Sequence, residues 1–202
     1  GKAAQPPHVT AVLGLSAGAM IGVGALLMTA VGGASPSLAT SDPGLDAFLK
    51  GAVGLPAGLT LVVITGAELF TSNVMTMLCG VMMGQVKPIK LVANWAISYL
   101  ANLIGSVAIA WLAHEANTMA SPPQAAAAKG IATMKVGLPF GTAVAKGILC
   151  NWLVCLAVWG AMASPSISGK VLVIFWPIAA FVALGFEHCV ANMYLIPQGV
   201  FA

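Results

Sequence analysis

Gly66-Ala67-Glu68-Leu69-Phe70-Thr71-Ser72-Asn73-Val74 and Gly185-Phe186-Glu187-His188-Cys189-Val190-Ala191-Asn192-Met193 are the two stretches on which the fold turns. Both read Gly-x-Glu, then four residues, then Asn, then an apolar residue. Each lies within long apolar sequence. The chain has five acidic residues, and two of them stand at the same place in these stretches. A carboxylate inside a membrane is costly unless partners satisfy it, so this matched pair predicts matched breaks in two membrane helices.

The surrounding chain is apolar enough for lipid to be its solvent. Of 202 residues, 59% are hydrophobic and 6% charged, where a soluble domain carries about a quarter charged. There is no arginine, and the lysines are scattered, which argues against nucleic-acid binding. A crossing helix needs about 20 apolar residues. Val9–Gly32 meets this, and Gly14, Gly18 and Gly22 give it one smooth face for close helix approach. A polar connector, Gly33–Lys50, follows. Gly51–Gly84 is a second apolar region, interrupted at Glu68–Asn73. Leu91–Leu112 is a third span. A loop holding Ser121-Pro122-Pro123 and Ala125–Ala128 leads to a fourth, Phe140–Ala163. Ser164–Lys170 is a short turn, and the fifth apolar region, from Val171, is interrupted at Glu187–Asn192. Cys79, Cys150, Cys155 and Cys189 lie in apolar runs without CxxC spacing and read as packing residues. Gly1–Pro7 lacks a signal-peptide pattern.

The first break lies in span two and the second in span five. An odd separation makes the two halves run in opposite directions, the inverted-repeat arrangement in which broken helices meet near the midplane. The chain thus reads as one transmembrane domain over residues 1–202. Its first repeat covers about 9–112, and its second about 140–202, incomplete and predicted to continue into a sixth span. The lysine balance, Lys2, Lys87, Lys90 and Lys170 against Lys50, Lys129 and Lys135, leans to an inside N-terminus.

A break in lipid frees backbone groups that only protein or a polar cavity can satisfy. The following half-helix points N–H groups and a positive dipole end at that site, which suits an anion. Glu68 and Glu187 would repel an anion if charged and unpaired. They are expected to accept the freed backbone N–H groups, with Asn73 and Asn192 holding the other end, and the rival role is a proton relay. His188 sits inside a break and exchanges a proton near neutral pH. A proton donated there would spare an anion its desolvation penalty in a dry constriction. Lys135 reads equally as a vestibule cation or an interfacial lysine. Lys146 lies about two turns into span four and either snorkels or faces the pore. Asn151 is a polar partner for the site.

At these two motifs, and at Cys150-Asn151-Trp152-Leu153-Val154-Cys155-Leu156-Ala157-Val158-Trp159 and Tyr194-Leu195-Ile196-Pro197, the sequence closely resembles the formate/nitrite transporter family. The resemblance implies an all-α, aquaporin-like six-helix protomer, assembled as a homopentamer with a pore in each subunit. Members pass formate, nitrite, lactate or hydrosulfide. The family's central histidine falls on His188, its pore threonine on Thr71, its vestibule lysine on Lys135 and its pore asparagine on Asn151. Its apolar constrictions fall on Leu59, Leu69, Val154 and Phe181, and on Leu55 where phenylalanine is common, which implies a wider gate. The sixth span is absent here. Members reside in plastid envelopes or bacterial inner membranes.

The expected function is therefore a channel or transporter for small monovalent anions, nitrite or formate and possibly bicarbonate. It would pass the anion or its neutral acid together with protons, without cofactor or metal. A water or neutral-solute channel is the alternative, although neither break carries the Asn-Pro-Ala of aquaporins. An enzyme using His188 and Glu187 as an acid/base pair lacks a second polar cluster.

Overall fold

The computed structural model describes residues 2–202, and among them every regular element is helical. A single turn, Lys2–Ala4, precedes α1 (Pro7–Gly33). Then come α2 (Pro36–Ser41), α3 (Pro43–Val53), α4 (Leu55–Thr65) and α5 (Phe70–Met82). The rest is α6 (Pro88–Glu115), α7 (Pro122–Val136), α8 (Phe140–Ala163), α9 (Ile167–Ala183) and α10 (Cys189–Phe201). Proline opens α1, α2, α3, α6 and α7, the position where its missing N–H costs nothing and its fixed φ suits a helix.

Two segments read from the sequence as connector and loop are helical. The connector after α1 forms α2 and α3. The segment after Ser121 forms α7, because an alanine run has the highest helix propensity and proline caps its start. Ala128 and Ala132 are buried. A Cβ on Gly199 of α10 would come within 2.4 Å of Ala132 Cβ, so α7 and α10 pack closely.

Four helical stretches are long and apolar enough to cross a membrane: Pro7–Gly33, Pro43–Thr65, Pro88–Glu115 and Phe140–Ala163. Phe70–Met82 and Ile167–Ala183 are shorter apolar helices. The glycine face of α1 lies against α6. A Cβ at Gly14 would meet Ala101 Cβ at 2.7 Å, and one at Gly18 would meet the Asn102 carbonyl oxygen at 2.2 Å. Asn102 Nδ2 donates to Gly14 O and Ser106 Oγ to Gly18 O across this contact. Small residues here let backbones approach, which drives helix association where lipid supplies no hydrophobic force.

Ala17, Ile21, Leu59, Val154, Ile178, Val190 and Tyr194 belong to one buried cluster at the centre of the bundle. Large apolar side chains such as Trp152, Trp159 and Trp176 face outward, as lipid-facing or subunit-facing surface requires. Cys150 is buried, but Cys79 and Cys189 are exposed, so the packing role expected of the cysteines does not extend to those two.

Candidate functional site

Both breaks are shorter than the sequence suggested. The first runs from Gly66 to Leu69 and the second from Leu184 to His188, so Thr71–Asn73 and Cys189–Asn192 already belong to the following helices. Each break starts the same way. Gly66 and Gly185 adopt φ of 71° and 66°, a left-handed conformation that costs residues with a Cβ about 1–2 kcal/mol. Ala67 N donates to Val62 O and Phe186 N to Phe181 O, the closing bond of a glycine-terminated helix. Three residues on, Leu69 and His188 are both extended and lead into α5 and α10.

The two glutamates then tie each break together, though not by the route expected. The sequence leads one to expect Glu68 and Glu187 to accept backbone N–H groups. Instead Glu68 Oε2 accepts from the side-chain amides of Asn73 (2.6 Å) and Asn94 (3.2 Å), while Lys2 Nζ reaches Glu68 Oε1 at 2.8 Å. Glu187 Oε2 accepts from Asn192 Nδ2 at 2.7 Å and from Lys135 Nζ at 2.9 Å. A buried carboxylate gains most from a paired cation, and the side-chain amides fill its remaining acceptor positions. Lys135 is therefore ion-paired rather than a free vestibule cation, and Lys2 stands in the matching place at the first break. Neither Lys2 nor Asn94 was singled out from the sequence.

The backbone of the first break is satisfied by Asn102, also missed. Its Oδ1 accepts from Phe70 N (2.9 Å), and its Nδ2 donates to Glu68 O (3.0 Å) and Gly14 O (2.8 Å). Glu68 N donates to Leu13 O at 3.2 Å. At the second break the capping residue serves itself, as His188 Nδ1 accepts from Ala191 N at 3.0 Å. Leu69, in the equivalent place, has no such acceptor, and Ser72 N, the counterpart of Ala191 N, donates to Leu69 O at 3.1 Å instead.

This cap fixes the state of the imidazole. A backbone N–H only donates, so Nδ1 is unprotonated and the neutral ring carries its hydrogen on Nε2. Nε2 lies 3.1 Å from Thr71 Oγ1 and donates to it, leaving the Thr71 hydroxyl hydrogen free to point elsewhere. The ring stacks on Phe181 with centroids 5.6 Å apart and planes 12° apart. His188 is 5% exposed.

Three cavities meet at His188. One of about 220 Å³ is lined by Lys135, Lys146, Leu55, Phe181 and Glu187 among others. A second, about 240 Å³, is lined by Phe70, Thr71, Cys150, Asn151 and Glu187. Between helices lies a third of about 10 Å³, walled by Ile21, Leu55, Leu59, Val154, Ile178 and Phe181. That volume is about what one water needs, and its wall is apolar. Of the residues expected at constrictions, Leu55, Leu59, Val154 and Phe181 gather round this cavity. Leu69 is fully buried and is not among the residues lining it. Asn151 has a buried Oδ1 without a partner among the described residues, and its Nδ2 makes only a 3.8 Å contact to Cys155 Sγ. Among the described residues no group of His, Cys, Asp and Glu is arranged to hold a metal ion.

The site combines a neutral N–H donor, a hydroxyl and an amide beside a small apolar cavity. The family model described as formate/nitrite transporter matches residues 1–202. A probable formate transporter of Methanothermobacter thermautotrophicus is 40% identical over 99% of this chain and 78% of its own. The formate channel FocA of Haemophilus influenzae is 36% identical over 98% of this chain and 69% of its own. A solved pentameric formate channel with formate bound superposes with a TM-score of 0.86 at 33% identity, covering 96% of this chain and 75% of that one.

Proposed function

We propose that this chain, an integral membrane protein that belongs to the formate/nitrite transporter family, passes a small monovalent anion, formate or nitrite, through a pore centred on His188 and Thr71. The observation that carries this reading is the buried His188 Nε2–Thr71 Oγ1 contact of 3.1 Å, placed where two charge-balanced helix breaks meet an apolar neck. Because the imidazole N–H is given to the Thr71 hydroxyl, that hydroxyl turns its own hydrogen toward the pore. The Asn151 amide adds a second polar group on the facing helix. Both stabilise an oxyanion by hydrogen bonds that do not depend on the ring becoming charged.

The neck sets the form in which the substrate crosses. An anion stripped of water in an apolar passage of about one water's width pays several kcal/mol or more, whereas its neutral acid pays little. Flux is therefore carried by the conjugate acid at the neck, with the proton taken up on entry and released on exit. The sign follows: uptake rises as the external pH falls. The protomer works within a homopentamer in a lipid bilayer, as supported by the pentameric relative and by the large outward-facing apolar surface.

The test is stopped-flow uptake of formate, nitrite and urea by liposomes holding the intact protein, against protein-free liposomes. Both anions enter faster with protein, and urea does not. Equal anion uptake with and without protein would end the reading, and selective urea uptake would replace it with a neutral-solute channel.

A further inference from the structure

The cavity that holds Lys135 is lined by five charged side chains: Asp46, Lys50, Lys135, Lys146 and Glu187. Four of them cancel. Lys50 Nζ donates to the Asp46 carboxylate one helical turn away, and Lys135 Nζ is 2.9 Å from Glu187 Oε2. The Lys135–Glu187 pair is 10% exposed on both sides and presents a dipole rather than a charge. Lys146 makes no hydrogen bond or ion pair to any described residue. It is half-buried on α8, one turn before Cys150 and Asn151, which line the neighbouring cavity.

We propose that Lys146, rather than Lys135, supplies the net positive field that draws monovalent anions into this cavity. The inference deepens the anion-channel reading and rests on it for its biological meaning. Its physical content, a net charge of one located on one side chain, is independent of transport. An ammonium group is a point charge with three rotatable donors, so it concentrates anions of different shapes without selecting one geometry. Asn151 lies about 7 Å further along the axis of α8 at 1.5 Å per residue, on the wall of the neighbouring cavity that also meets His188. The substrate class implied is a small, singly charged oxyanion. Removing this one charge leaves a cavity whose fixed charges sum to zero.

A unit charge about 7 Å away in water-like dielectric changes the local concentration of a monovalent ion roughly threefold. Two probes of opposite charge respond in opposite directions, so their ratio changes about sevenfold. The experiment places a thiol on the cavity wall by Met134→Cys in the intact protein. It measures the rate of modification by a sulfonate-bearing and by an ammonium-bearing methanethiosulfonate, subtracting the native thiols measured without the added cysteine. Lys146→Gln lowers the sulfonate-to-ammonium ratio, by about sevenfold for a thiol about 7 Å from the charge. Lys146→Arg keeps it, and so does the charge-neutral double change Lys135→Gln with Glu187→Gln.

Without any change at Lys146, raising the salt from about 0.01 M to about 0.5 M lowers the ratio, since the Debye length shrinks from about 30 Å to about 4 Å. An unchanged ratio in Lys146→Gln overturns the proposal. So does a full loss in the double variant with Lys146 intact, or a wild-type ratio that ignores salt. In anion-uptake assays the same Lys146→Gln raises KM about threefold with kcat held. Absent uptake in the wild type beside a sevenfold loss of ratio would reject the channel reading and leave the assignment of the field standing.

Discussion

Replacing Asn102 with alanine should break the first helix interruption without touching its glycine, its glutamate or any pore residue. The amide makes three bonds: it accepts from Phe70 N and donates to Glu68 O and Gly14 O. Side-chain hydrogen bonds between membrane helices average about 0.6 kcal/mol each, so the three together contribute about 2 kcal/mol. The Phe70 N–H, left unpaired at the start of α5, adds about 1–3 kcal/mol. The Gly14 carbonyl lies within α1, so its orphaning costs less. The sum is about 3–5 kcal/mol, and at about 2–4 °C per kcal/mol for a chain of this size the thermal midpoint falls by about 10 °C.

Ser106→Ala is the internal control. It lies on the same face of α6 one turn on, and makes a single bond, to Gly18 O at 3.0 Å. It should cost about 0.6 kcal/mol. The assay is thermal unfolding of the purified protein in detergent, both variants beside the wild type. Equal midpoints for the two variants would refute the claim that Asn102 closes the break.

Gly185→Ala costs about 1–2 kcal/mol from backbone conformation alone, because no atom lies within 4 Å of the added Cβ. Gly18→Ala costs more, since its Cβ would sit 2.2 Å from Asn102 O and must push α1 off α6; thermal midpoints rank the two. Lys135→Met strands the Glu187 carboxylate with Asn192 as its remaining partner and destabilises by about 3 kcal/mol. Adding Glu187→Gln to it recovers most of that loss, which a double-mutant cycle measures directly. Thr71→Val keeps the side-chain shape and removes the hydroxyl facing His188 Nε2. It lowers anion uptake about tenfold, the equivalent of one hydrogen bond of about 1.4 kcal/mol, with little change in thermal midpoint.

The paired breaks were legible because Gly-x-Glu-x4-Asn is local and rare in so apolar a chain. Glycine, glutamate and asparagine announce themselves when few other polar residues surround them. The membrane class followed from the same scarcity of charge, and the family from the resemblance carried by these motifs. What was not legible were the partners that come from elsewhere in the chain. Lys2, Asn94 and Asn102 sit 66, 26 and 34 positions from the Glu68 atoms they contact, and nothing in a linear motif points that far. The same distance hid the pairing of Lys135 with Glu187, 52 positions apart. The extent of each break was overestimated because the repeated motif was read as interrupted up to its asparagine, whereas Phe70–Asn73 and Cys189–Asn192 form the first turn of a half-helix. The segment after Ser121 read as loop because it lies between apolar spans, yet proline in its first turn and the alanine run behind it start and carry a helix.

The most direct test of the central claim is formate uptake by liposomes across a series of external pH values, comparing the wild type with His188→Leu. Leucine fills a similar apolar volume but offers no N–H to Thr71. The account predicts wild-type uptake that rises by about tenfold per pH unit of acidification while the neutral acid is scarce, and a variant at least about tenfold slower at every pH. Uptake in His188→Leu that matches the wild type throughout would contradict it.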